Sequence, residues 1–381
     1  MNSRRPHSSS PRLSNRRLSI AVILGVCLGF VNLAYGEVEV ESVIRRYDDT
    51  RTQVTSPSLD VSGTFNHDTM KVTAGWAEDI VSSASADVTS YASKGRIYDR
   101  RIEFSGGYES QIPDGTINIG YIQSKENDYE SHTYTAGGTR EFNTKNTVFS
   151  FGFASGHDHV RSSSDPSFDK PMENQSYSIS LTQVLTKVDI IQFIYDFRVE
   201  NGCLYSPYRR AKLDVNGVIT VIPEAHPETR NRTAAAVKFN HYIERWHTTW
   251  ANTYRLYDDS WGVLSHTLEE RLTKEIGRKT NLSLVLRYYT QGQASFYQDY
   301  YMGTAGPFHT GNNTLATYHS YLVGIRPSYQ MTDHLSLFGN LQYFAQTFAN
   351  ATDAHNPYIL TDDVPLKINA VVADVGLIYK F

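Results

Sequence analysis

Cysteine is nearly absent from this 381-residue chain, which holds only Cys27 and Cys203. Cys27 lies in an apolar N-terminal run, so the remainder keeps one cysteine and cannot close a disulfide within itself. Basic charge is scarce once the first 36 residues are set aside. They carry five arginines (Arg4, Arg5, Arg12, Arg16, Arg17) and no acidic residue; the rest has 31 basic residues against 40 acidic ones, a net charge near −9. That balance argues against nucleic acid as a partner. After residue 36 no stretch reaches the ~18 consecutive apolar residues of a membrane helix, and almost none sustains a helical period. No linker, low-complexity tract or composition shift divides residues 37–381, which read as one domain.

What is present begins with a leader. A basic segment, an apolar core from about Leu18 to Leu33 and the small-x-small triplet Ala34-Tyr35-Gly36 make residues 1–36 a secretory signal peptide cut before Glu37. The run is nearly long enough for an uncleaved anchor, but its basic flank and cleavage triplet favour removal. The residues after Arg16-Arg17 fit a twin-arginine signal poorly. Val26 stands where a lipoprotein needs a small residue before its cysteine.

Beyond the leader the recurring pattern is alternation. Ile102, Phe104 and Tyr108 interleave with Arg101, Glu103, Ser105 and Glu109, and Phe149, Phe151 and Phe153 with Ser150, Gly152 and Ala154. Tyr177, Ile179 and Leu181 alternate with serines, and Phe193, Tyr195 and Phe197 with Gln192, Asp196 and Arg198. A period of two places each set on its own face of a strand. Connection length alternates too. Short turn signals stand at Asn66-His67-Asp68, Pro113-Asp114-Gly115, Asn143 to Asn146, Thr186-Lys187, Glu244-Arg245, Gly277-Arg278 and Thr332-Asp333. Between them lie longer polar connections, among them residues 161–173, 200–231, 291–317 and 349–366. The spacing predicts about sixteen strands, centred near residues 43, 58, 75, 104, 122, 138, 152, 180, 193, 237, 253, 269, 285, 324, 341 and 374. An even count leaves both termini on the side of the short turns.

In lipid every backbone N–H and C=O must be satisfied inside the protein, so a sheet spans a membrane only by closing on itself. Its outer face is then apolar, with aromatics at the interfaces, and its lumen polar. The 26 tyrosines suit the headgroup level, whereas a soluble sandwich would favour Val, Leu and Ile. The expected fold is all-β, a transmembrane antiparallel up-and-down barrel of about sixteen strands. The ending DVGLIYKF sets Val375, Leu377, Tyr379 and Phe381 toward lipid and Asp374, Gly376, Ile378 and Lys380 inward. It resembles the assembly signal that outer-membrane proteins present to the barrel-insertion machinery of Gram-negative bacteria.

Three internal stretches resemble a family of proteobacterial outer-membrane barrels whose function is not established. They are DIVSSASADVTSYAS (residues 79–93), DDSWGVLSHTLEERL (258–272) and LRYYTQGQASFY (286–297). The chain departs from the family at Ser83 and Ala86, where Gly and Pro are favoured. The resemblance implies the fold and an outer-membrane location among lipid and lipopolysaccharide; it brings no catalytic residues.

The register turns Arg101, Glu103, Asp196, Arg198, Lys238, Arg255, Glu269, Arg271, Arg287, Arg326 and Asp374 into the lumen. Such charges set solute preference, or pair across strands and keep the interior wet. The doublets Asp48-Asp49, Asp258-Asp259 and Asp362-Asp363 fall on the long-connection side, either as ligands for Ca²⁺ or Mg²⁺ shared with lipopolysaccharide or as solvated turn residues. His157 and His159 share a strand face, but no third ligand with recognised spacing accompanies them, so no metal is assigned. Ser265-His266 supplies residue types for a hydrolase without any recognised signature, so no catalytic residue is assigned. The tyrosine-rich 296–301 segment suits loop packing or sugar stacking. The expectation is a passive pore or surface platform without cofactor; the alternatives are a barrel enzyme and a plugged structural or partner-docking barrel. The 200–231 connection, with Arg209, Arg210 and Lys212, is the expected constriction.

Deleting Phe381 is expected to impair insertion more than folding. Fractionation should show less protein in the outer membrane, and unchanged levels would count against the terminal signal.

Overall fold

The computed structural model describes residues 36–49, 52–83, 97–349 and 367–381. Its strands are β1 (Val38–Asp49), β2 (Thr52–Phe65), β3 (Met70–Ser83), β4 (Ile97–Ile112), β5 (Gly115–Lys125), β6 (Tyr129–Phe142), β7 (Thr147–Arg161), β8 (Asp169–Val184), β9 (Asp189–Gly202) and β10 (Arg210–Val215). There follow β11 (Val218–Pro223), β12 (Thr229–Ile243), β13 (Thr248–Asp259), β14 (Leu264–Ile276), β15 (Thr280–Gln291), β16 (Tyr301–Met302), β17 (Tyr318–Gln330), β18 (Leu335–Phe348) and β19 (Lys367–Lys380). Sixteen of them form one closed antiparallel barrel; β10, β11 and β16 make a separate three-stranded sheet. The barrel strands are the sixteen expected from the alternation, and all seven short turns fall where the turn signals stand. The leader up to residue 35, most of the 79–93 stretch, residues 350–366 of the last long connection and with them Asp362-Asp363 lie outside the described residues.

Closure is made by β1 on β19, with Ile44 opposite Val375 and Arg45 opposite Asp374. Val375, at 71% exposure, and Leu377, Tyr379 and Phe381 face outward, while Asp374 is buried on the inner face. Tight turns at the short-turn rim need left-handed backbone: Asn66, His67 and Asp68 take φ of 50°, 56° and 62°. Asn and Asp tolerate that region better than most residues.

The outer face is built from aromatic and branched side chains that meet across strands. Tyr121 packs on Tyr134 at 5.2 Å, Phe153 on Tyr177 at 5.2 Å, and Tyr288 on Tyr321 at 5.1 Å. Partnered carboxylates interrupt it: Glu78 pairs with Arg100. Glu270 points outward from the middle of β14, opposite Asn252, and its oxygens accept the Trp250 indole N–H and, at 2.6 Å, the Asn252 amide. Those two donors satisfy the group where lipid offers none.

One long connection is shorter than its composition suggests. The polar run 161–173 continues as strand on both sides, leaving residues 162–168 between β7 and β8. Arg161 closes that rim by pairing with Asp169 and Glu130, both at 3.1 Å.

At the seam Asp374 accepts from Arg45 Nε at 3.0 Å and Asn340 Nδ2 at 3.0 Å, and Asn340 accepts from Arg326 Nε at 3.2 Å. This network joins β17, β18, β19 and β1. Asp374→Ala is expected to cost about 1–2 kcal/mol, discounted for the exposure of Arg45. The urea midpoint of the detergent-refolded barrel checks it; an unchanged midpoint would remove the network from the account of closure.

Candidate functional site

The candidate site is the long-connection mouth and the lumen beneath it. The connection after β9 is folded. Asn216 and Gly217, with φ of 56° and 84°, turn β10 onto β11, and Asp214 accepts the Gly217 N–H at 2.7 Å. The connection after β15 joins it, Leu213 and Asp214 pairing in parallel with Tyr301 and Met302. An Asn-Gly pair between alternating residues is the strongest short hairpin signal in a sequence. It stands here in LDVNGVITV and marks the folded element inside the long 200–231 connection.

Beside this sheet lies an apolar core of Trp261, Val263, Ala294, Tyr297, Leu315, Ala316 and Phe348, flanked by Leu204, Tyr257, Phe296, Tyr318 and Ile368. Tyr257, Tyr318, Phe348 and Ile368 belong to the inner faces of β13, β17, β18 and β19, because their strand neighbours Leu256, Tyr321, Tyr343 and Val371 are exposed outside at the alternate positions. The connections therefore pack against the inside of the rim. On the other flank the Tyr208 hydroxyl meets the Ser163 N–H at 2.7 Å, and Tyr205 packs edge-on to Phe168. The plug thus follows the rim from the β7–β8 connection round to β19. The 296–301 tyrosines are part of it: Tyr301 donates to the Phe296 carbonyl at 2.7 Å.

Asp259 organises the core. Its side chain is wholly buried, paired with Arg230 (Nε at 2.9 Å), and accepts the Tyr257 hydroxyl and the Trp261 and Val263 N–H groups at 2.7, 2.9 and 3.0 Å. Gly262, at φ 89°, completes that turn, and the Arg230 guanidinium lies 4.2 Å over Trp261. Asp259 is accordingly neither a solvated turn residue nor an exposed cation ligand. Gln291 fastens the second connection by donating to the Thr314 and Ala316 carbonyls at 2.9 and 2.7 Å.

A second buried carboxylate ties the two connections together. Glu224 accepts from the Thr310 hydroxyl at 2.6 Å and the Gly311 N–H at 2.9 Å. Its other oxygen lies 3.5 Å from His226 Nε2, while His226 Nδ1 donates to the Leu204 carbonyl at 2.9 Å. Burial among Trp261, Phe296 and Tyr205 holds the imidazole below its ordinary value, helped by Arg209 and Arg230 and opposed by Glu224. Cys203 is buried in the same connection, and burial pushes its thiol up.

In the lumen some predicted charges are brought together and others are not. Arg101 pairs with Asp79 at 2.6 Å, Arg198 and Arg232 share Glu200 at 3.0 and 2.7 Å, and Arg271 meets Glu269 at 3.0 Å. Arg287 stands opposite Glu269 in register, and Arg326 joins the seam network. Arg255 lies 5.5 Å over the Tyr257 ring and, like Lys238, Arg287, Asp196 and Glu103, makes no ion pair within 4 Å among the described residues. The lumen is therefore part paired, part free.

The remaining candidates separate. His159 is bound to Asp169 at 2.9 Å, on the outer face. Ser265 is buried inside, while His266 points outward and bonds the Tyr254 hydroxyl at 2.7 Å, so the two cannot act as a pair.

A model of a family described as a protein of unknown function, DUF3570, matches residues 93–177 and 169–379. The chain belongs to that family. No curated protein matches this DUF3570 member. A solved structure described as a bacterial polysaccharide outer membrane secretin is 8% identical, with TM-score 0.53 over 90% of this chain and 98% of its own. CdiB from Acinetobacter baumannii is 6% identical, with TM-score 0.52 over 90% of this chain and 60% of its own. Such likeness establishes the outer-membrane barrel fold alone.

Since the buried His226 holds its proton more weakly than an unfolded one, its contribution to plug stability is whole above the unfolded value near ~6.5 and is lost as pH falls below it. Limited proteolysis within residues 203–228 should accelerate between pH 8 and pH 5, and His226→Gln should flatten that profile. A wild-type rate independent of pH would contradict the assignment.

Proposed function

We propose that this DUF3570 protein is an integral outer-membrane conduit whose outward-facing mouth is narrowed by a plug built from the connections after β9 and β15. Its leader is cut after Gly36, the barrel-insertion machinery reads the Val375-to-Phe381 ending, and lipid and lipopolysaccharide surround the belt. The observation that carries the reading is the packing of Trp261 and Leu315 against inner-face Tyr257, Tyr318 and Phe348. A barrel of about sixteen strands leaves an aqueous channel. Here loops fold into the channel and the wall below keeps unpaired charge, so the arrangement supports restricted passage better than an open pore.

A permanently closed structural barrel is the second reading, favoured by the burial of Asp259 and Glu224 at the tie points. No pair of candidate catalytic side chains converges among the described residues, so an enzyme is the weaker proposal.

Planar-bilayer recording separates these. Wild type should give small or infrequent conductance steps. Trp261→Ala, which removes roughly 3–5 kcal/mol of core packing, and deletion of residues 204–227 should each raise conductance several-fold. Silence in both variants, with heat-modifiable barrels present, would leave the closed barrel standing and end the conduit reading.

A further inference from the structure

The inner wall is not uniformly filled. Where β15 and β17 meet, Val285 is 1% exposed and Leu322 is buried, so side chains cover the backbone. Across β7, β8 and β12 the inward positions are Gly152, Ala154, Ser176, Ser178 and Ala234, which reach little beyond the sheet. The wall is recessed there into a cavity of about 440 Å³, within the size range of small-molecule sites. Long charged side chains frame the recess: Asp196 and Arg198 on β9, Arg232 on β12 and Arg255 on β13. Arg198 and Arg232 are engaged by Glu200, whereas Arg255 lies over the Tyr257 ring and makes no ion pair among the described residues.

We propose that this recess is a binding site for a small polar carboxylate, with Arg255 as its anchor. The guanidinium presents paired donors that match a carboxylate, and it lies over the Tyr257 ring at 5.5 Å with no ion pair among the described residues. Asp196 lies on the far side of β12, in register with Ala234, which in turn stands opposite Tyr257. On β12 the inward residues between Asp196 and Arg255 are Ala234, in register with Asp196, and Ala236, in register with Arg255. Asp196 accepts hydrogen bonds and donates none, so the solute that satisfies both ends carries a carboxylate and hydrogen-bond donors on one short skeleton, as sugar acids and hydroxy acids do. The serines of β8 supply further hydroxyl contacts along the floor. Three guanidiniums against Glu200 and Asp196 leave the recess positive by one charge, which favours an anion over a neutral sugar of the same shape. The site stands whether or not the barrel conducts.

The test is equilibrium binding to the refolded full-length protein in detergent, by calorimetry, with gluconate as probe and glucose and choline as neutral and cationic comparators. Gluconate is expected to bind saturably and the comparators at least tenfold more weakly. Arg255→Gln should weaken gluconate roughly tenfold or more, whereas Arg140→Gln at the short-turn rim should not. Ala234→Phe, which fills the floor and keeps Arg255, should abolish binding and serves as the second variant where Arg255→Gln does not refold. No gluconate binding by wild type, equal binding by both recess variants, or a preference for glucose or choline would overturn the site.

Discussion

Everything in this structure depends on the hydrogen-bonded closure of β1 on β19. A sheet in lipid has no water to satisfy an edge, so sixteen strands are tolerated only because the last returns to the first. Closure creates an inside and an outside, and alternation then sorts side chains between them. The same constraint explains Glu270: a carboxylate on the outer belt persists because Trp250 and Asn252 complete it locally.

The inside so created is a protected polar space, and the plug exploits it. Its apolar core is small and borrows a third of its residues from the barrel: Tyr257, Tyr318, Phe348 and Ile368 are inner-face residues that would meet water if the connections lay elsewhere. Two buried carboxylates hold the connections in place. Asp259 is saturated by donors from three sides, while Glu224 leaves one oxygen facing His226. The core is thus fastened through one complete and one incomplete polar contact, firm at Asp259 and open to protonation at His226.

Much of the barrel was legible because its signals are local. A period of two, turn residues such as Asn66-His67-Asp68, and the alternation of short and long connections each act within a few residues, and closure forces them to agree. Register assigns Arg101 and Arg287 to the inner face by the same local rule. The plug was not legible to that extent. Residues 200–231 read as a long polar connection and the candidate constriction, but not as a folded sheet, because the apolar side chains that bury them come from strands many residues away, although Asn216-Gly217 announced the hairpin. Asp259 looked like one of several exposed doublets; burial under Trp261 comes from folding over the rim, which no local pattern encodes.

The sequence by itself determined the number of strands, the face each side chain takes and the rim on which both termini lie, because those follow from backbone satisfaction in lipid and a two-residue period. Tertiary structure alone decided which charges are paired, which connections enter the mouth and where the wall is recessed. Glu200 meets Arg198 on its own strand and Arg232 on the next, while Arg255 meets an aromatic face and no carboxylate. Those outcomes depend on distances between strands, and distance is what a one-dimensional pattern omits.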